Sequence, residues 1–178
     1  MNWSDTFVQL NKQLHDRASF NCCEPELNSY MQKHASRQMS AGVGHTLVLP
    51  SIEANSSGKK DICAFFTVAP SSLRRNDLPL RIAKKLPHYP VPVFLLAQLA
   101  VHTECQGRGL GKITLIRALE HLSRVQSVLP AYAVIVDCLN DSAEHFYLRF
   151  GFQELIGSTG RTRLFLPMNT VNQLFNKG

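Results

Sequence analysis

The chain has 178 residues, an apolar share of 44% and a net charge of +6 at neutral pH. That length suits one compact domain spanning residues 1–178, and the apolar share is that of an ordinary water-soluble core rather than of a disordered or fibrous chain. No apolar run approaches the ~20 residues a membrane helix needs, so a membrane-spanning class is excluded. The positive charge admits an anionic partner, whether nucleic acid, nucleotide or acidic protein, without choosing among them.

The opening stretch "MNWSDTFVQL" has no basic segment followed by an apolar one. No signal peptide is expected, and the cytoplasm is the simple location. Next, "PELNSYMQKHASRQM" places Leu27, Tyr30, Met31 and either His34 or Ala35 at helical spacing, with Pro25 suited to the first turn. "HTLVLPSI" and "DICAFFTVA" flank the turn-forming, charged "EANSSGKKD" and predict a two-stranded hairpin. A short helix is predicted from about Leu78 to Leu86, stopped by Pro87. "VFLLAQLAV" is apolar almost throughout, as in a strand buried on both faces. A helix from about Leu110 to Val128 follows, then a buried strand in "AYAVIVDC". Asn140 or Asp141 can cap the helix of "SAEHFYLRF", and Gly151 ends it. "FQELI" and "RTRLFLP" read as a last pair of strands around "GSTG".

Five cysteines are present. Cys22 and Cys23 are adjacent, while Cys63, Cys105 and Cys138 lie far apart. Without a C-x-x-C pair, neither a zinc knuckle nor a redox motif is predicted, and no metal is expected.

The segment "QGRGLGK", Gln106 to Lys112, sits between the buried strand and the long helix. Backbone N–H groups at a helix start lack intrahelical partners and carry the positive end of the dipole. Glycines let such a backbone wrap a phosphate, and Arg108 and Lys112 add charge. A Walker A loop would need Ser or Thr after Lys112, where Ile113 stands. A Rossmann loop would need G-x-G-x-x-G, and the spacing here is G-x-G-x-G.

Gln106-x-x-Gly109-x-Gly111 after a strand resembles the pyrophosphate loop of the GCN5-related N-acetyltransferases. "VDCLNDSAEHFYLRFGF" is similar to that family's later strand and helix, with Phe146, Tyr147, Gly151 and Phe152 in its closing signature. Within the family, "HDRASFNCCEPELNSYM" and "PVPVFLLAQLAVHTECQGRGLGK" resemble the branch of acetyltransferase toxins from type II toxin–antitoxin pairs. His102 stands where that branch usually has Asp, and Cys23 where it often has Gly.

The resemblance implies a single α/β domain with a mixed, mostly antiparallel sheet and flanking helices. It implies acetyl-coenzyme A as cosubstrate, held by backbone atoms of Leu99 and Val101 and by Gln106, Gly107, Arg108, Gly109, Leu110, Gly111 and Lys112. Asn140 would contact the coenzyme arm; read alone, it is a helix cap. Tyr147 would donate a proton to the departing thiolate; read alone, it is a core tyrosine among Phe146, Phe150 and Phe152. The branch implies an aminoacyl-tRNA substrate, a ribbon-helix-helix antitoxin and a homodimer.

No general base stands out, which favours an α-amine over a lysine. His102 is either a base at a strand end or incidental. Lys33 and Arg37 share a helix face, as do Arg81, Lys84 and Lys85, with Ile82 and Leu86 turned inward and Arg74 and Arg75 preceding. These groups are either solvated surface or phosphate contacts to a structured RNA. Two rival functions remain: acetylation of a small amine, protein N-terminus or lysine, and a non-catalytic coenzyme-binding module.

Overall fold

The computed structural model describes residues 1–156 and 160–175. In chain order the strands are β1 (Val8–Gln9), β2 (His15–Asp16), β3 (His45–Ala54), β4 (Lys60–Leu73), β5 (Val91–Val101), β6 (Ala133–Asp137), β7 (Gln153–Glu154) and β8 (Arg163–Pro167). The helices are α1 (Pro25–Ser29), α2 (Ala35–Ser40), α3 (Leu80–Ala83), α4 (Leu110–Gln126), α5 (Asp141–Arg149) and α6 (Met168–Phe175). By hydrogen bonding the strand order is β1-β3-β4-β5-β6-β8-β7, with β2 beside β4. β2/β4 and β5/β6 run parallel, while β1/β3, β3/β4, β6/β8 and β7/β8 run antiparallel. The sheet is therefore mixed and mostly antiparallel, as the sequence resemblance implies.

The chain groups into two compact units, one of Met1–Ala69 with Ala97–Ala118, the other of Pro70–Leu96 with the chain from Leu119 on. In the first, the predicted hairpin is β3/β4. Asn55 closes its turn, accepting from the Ser57 and Lys59 backbone N–H groups, and Gly58 takes φ +77°. Ile62 to Val68 of β4 are all buried, as expected of an inner strand. The register slips between Leu49 and Pro50, where proline has no N–H for the ladder.

The helical segment after Pro25 is not one uniform helix. A π-turn over Tyr30–His34 separates α1 from α2, and the Ala35 N–H bonds back to the Tyr30 carbonyl. The wider turn settles the ambiguity in the sequence: Ala35 is fully buried and His34 faces out. Phe20, Tyr30, Met31, Ala35 and Phe65 form the core of this unit, with Phe20 edge-on to Phe65 at 5.2 Å.

The second unit is built on Ala133 to Val136 of β6, all buried, and on Phe165 of β8. The helix predicted over Leu78–Leu86 is regular only as α3, then tightens into turns ending at the Leu86 N–H to Ala83 carbonyl bond. Ile82 and Leu86 do pack inward against Leu73, Val91 and Phe165. Of the "GSTG" segment, residues 157–159 lie outside the described residues. No described helix is long and apolar enough to cross a membrane.

Candidate active site

The coenzyme-loop candidates all lie in the first unit. Leu99 and Val101 are half-buried on β5, which then leads through a 3-10 turn, Thr103–Cys105, into the loop. His102 caps that turn: its Nδ1 accepts from the Glu104 N–H at 3.2 Å, while its own N–H donates to the Cys63 carbonyl. A carboxylate could accept the same capping bond, which explains how histidine substitutes for the aspartate usual in the resembling branch. With Nδ1 engaged and its ring edge-on to Phe20 at 5.8 Å, His102 caps the turn.

Gly107 and Gly109 adopt φ +73° and +78°, and a Cβ at either would meet nothing within 4 Å. The requirement for glycine is thus conformational, and the space above the loop is open. Gly109→Ala is expected to cost ~1–2 kcal/mol of stability from left-handed backbone strain alone, measured by urea unfolding. Leu110 is buried, so it can meet a ligand only through its backbone; Lys112, on the first turn of α4, is exposed.

The Gln106 side chain braces the loop. Its Nε2 donates to the Val101 carbonyl at 2.9 Å and the Cys22 carbonyl at 3.2 Å, bracketing the loop to strand β5 and to the Cys22–Cys23 turn. Cys23 holds φ +68°, a left-handed conformation that glycine adopts more cheaply. Asn21 Oδ1 accepts from the Cys23 N–H, and Asn28 Oδ1 from the Cys22 N–H, fixing that turn.

In the second unit, Asn140 rather than Asp141 caps α5, its Oδ1 accepting from the Ala143 N–H at 2.9 Å. Tyr147 on α5 is 8% exposed, edge-on to Phe146 at 5.2 Å and to Phe152 at 5.3 Å. Burial, and then the neighbouring Cys138 thiol, push its phenol well above the ordinary tyrosine range. It is therefore protonated throughout neutral pH. The packing reading of Tyr147 is seen directly, in the aromatic cluster with Phe146 and Phe152.

A family profile described as an acetyltransferase (GNAT) domain matches residues 73–154. A tRNA-acetylating toxin of Mycobacterium tuberculosis (strain ATCC 25618 / H37Rv) is 32% identical over 159 residues, 89% of this chain and 90% of that toxin. The chain belongs to the GCN5-related N-acetyltransferase family. Two solved structures agree with this acetyltransferase assignment over nearly the whole chain. A tyrosine-to-phenylalanine mutant of KacT has a TM-score of 0.86 at 26% identity, covering 96% of this chain and 98% of that one. AtaT complexed with acetyl-methionyl-tRNAfMet has a TM-score of 0.83 at 25% identity, with the same coverage.

The basic residues of this acetyltransferase divide by their engagements. Lys33 and Arg37 are exposed, but the π-turn falls between the start of α1 and Arg37, so their simple four-residue spacing is distorted. Arg74 is bound by two hydrogen bonds to the Asp77 carboxylate. Arg75 donates to the Ala83 carbonyl at the end of α3 and contacts the His88 ring. Arg81, Lys84 and Lys85 are exposed. Sequence reasoning missed both engagements: Arg74 meets Asp77 three residues on through the 3-10 turn Arg75–Asp77, and Arg75 meets Ala83 only once the chain has turned past Pro79.

Three buried acids also make the GNAT fold sensitive to alkali. Burial, and then Cys105, push the Cys63 thiol up to about 12; burial, and then Glu144 and Asp137, push Cys138 up to about 11; Tyr147 is raised too. An unfolded chain releases these protons at ordinary thiol and phenol values, whereas the folded chain retains them. Stability is thus complete below about pH 8.5 and lost progressively as pH rises towards the folded values. Melting temperature is expected to be level from about pH 7 to 8 and to fall between about pH 9 and 11.

Proposed function

We propose that this acetyltransferase moves the acetyl group of acetyl-coenzyme A to the α-amine of the amino acid on a charged tRNA, and so acts as a toxin that blocks translation. The observation that carries this reading is the open, glycine-built loop opening α4, in a chain 32% identical to a tRNA-acetylating toxin. Residues 1–178 would work as a single catalytic domain in the cytoplasm.

The roles follow from the chemistry. N–H groups from Gly107 to Lys112 would hold the pyrophosphate at the start of α4, the positive end of its dipole. Leu99 and Val101 would guide the pantetheine arm through their backbone, and Gln106 would hold the loop in shape rather than touch the ligand. The amine attacks the thioester carbonyl, forming the C–N bond; the C–S bond breaks, Tyr147 gives its proton to the thiolate, and the surplus proton of the amine nitrogen passes, directly or through water, to the tyrosinate and restores it. An α-amine, with a pKa of ~7.7–8.0 in peptides, is partly neutral near pH 7 and needs no strong base to start. That fits the use of His102 as a cap. Asn140 would meet the arm with whatever capacity its capping role leaves.

The toxin branch also supports a small ribbon-helix-helix antitoxin as partner and a homodimer as the working form. The test combines purified protein, labelled acetyl-coenzyme A and a pool of charged tRNA, with mass spectrometry of the aminoacyl ends. Acetylated aminoacyl ends are expected. Coenzyme binding with no label on tRNA would overturn the substrate assignment and point to a small amine or a protein N-terminus.

A further inference from the structure

Arg108, which the sequence reading took with Lys112 as adding charge to the loop, is held from an unexpected direction. Its Nη1 donates to the Met1 carbonyl at 2.9 Å, and its guanidinium lies over the Trp3 ring, 4.1 Å from the centroid. The segment that carries these two partners is itself anchored on β3. Trp3 forms a bridge with Ser51, the Ser4 N–H donates to the Pro50 carbonyl, and the Ile52 N–H donates to the Asn2 carbonyl. Trp3 further packs on the cluster of Leu49, Cys63, Cys105 and Leu110, the residues beneath the loop.

We propose that residues 1–4 are a strap that sets Arg108 for a phosphate of the coenzyme, with Trp3 as the positioning residue. This rests on the reading of the loop as the coenzyme site. A free arginine on an exposed loop samples many rotamers, and ordering it on binding costs affinity. Stacking on an indole face and one bond to a fixed carbonyl remove much of that freedom beforehand. Only the flat face and one N–H are used, so the remaining N–H groups at the edge of the fork stay available for phosphate oxygens. Gly107 and Gly109 flank Arg108 at positive φ, which keeps the backbone on either side free of Cβ atoms. The strap therefore acts on the nucleotide end of the coenzyme and not on the acetyl transfer.

Steady-state acetylation of charged tRNA, with acetyl-coenzyme A or with acetyl-pantetheine, which lacks the nucleotide, separates these effects. Trp3→Ala is expected to raise KM for acetyl-coenzyme A about fivefold with kcat nearly unchanged, and to leave kcat/KM for acetyl-pantetheine as in the wild type. Trp3→Phe, which keeps an aromatic face, is expected to restore KM to within about twofold. Because Trp3 is the single tryptophan of the chain, its emission reports the strap directly. Saturating acetyl-coenzyme A should change that emission. An unchanged KM in Trp3→Ala, an equal loss with acetyl-pantetheine, or a silent Trp3 in a wild type that binds coenzyme by calorimetry would each overturn the strap alone. A wild type that binds no coenzyme by calorimetry would overturn the loop reading and the strap with it.

Discussion

Replacing Tyr147 by phenylalanine is expected to lower the rate of acetyl transfer by roughly 10²–10³, the usual worth of a positioned general acid, while leaving acetyl-coenzyme A affinity within about twofold. The substitution is a clean probe because phenylalanine keeps the edge contacts to Phe146 and Phe152, so the aromatic cluster and α5 should stay as they are. What is removed is one O–H whose proton is retained at neutral pH by burial. A thiolate leaving without that proton must depart as an anion in an apolar surrounding, which is where a donor counts most. The readouts are single-turnover transfer of labelled acetyl to charged tRNA and calorimetric binding of the coenzyme. Wild-type turnover in the variant would remove Tyr147 from the chemistry and return it to a packing role.

The elements that carry the site were legible because each has a strong local signal. β5 and α4 were marked by an apolar run, three glycines and a long helical pattern, and α5 by its cap and aromatic signature. Hydrophobic period and turn chemistry report such features directly. What stayed hidden depends on contacts distant in sequence. The strap on Arg108 involves a carbonyl 107 residues away, and no period or motif marks a lone tryptophan as its platform. The π-turn was visible only as the ambiguity between His34 and Ala35, because a single inserted residue shifts the helical phase without leaving a distinctive composition. The same holds for the Gln106 side chain, whose amide bonds to the Val101 carbonyl and to the Cys22 carbonyl 84 residues away. Helix α6 escaped notice because its stretch begins directly at the end of β8, with no turn residues to separate the two.

The second large effect is expected on RNA. Of the basic side chains from Arg74 to Lys85, the engagements leave Arg81, Lys84 and Lys85 as the candidates for phosphate contacts. Arg74 is compensated by Asp77 and Arg75 is committed to the end of α3, so neither can turn to a phosphate without losing a partner. The other three are exposed, on a turn anchored from beneath by Ile82 and Leu86. Changing all three to alanine removes charge without disturbing that anchor. If each meets one phosphate, the slope of log affinity against log salt should flatten by roughly 2–3, and tRNA affinity should fall by about 10²-fold at 0.1 M salt. Acetyl-coenzyme A binding should not change, because none of the three is among the residues proposed to hold the coenzyme. Arg74→Ala serves as the contrast, with little effect on either quantity because its charge is already compensated by Asp77. Filter binding of charged tRNA across a salt series decides the matter. A salt slope unaltered in the triple variant would show that the phosphates are met elsewhere, with Lys33 and Arg37 the next pair to change.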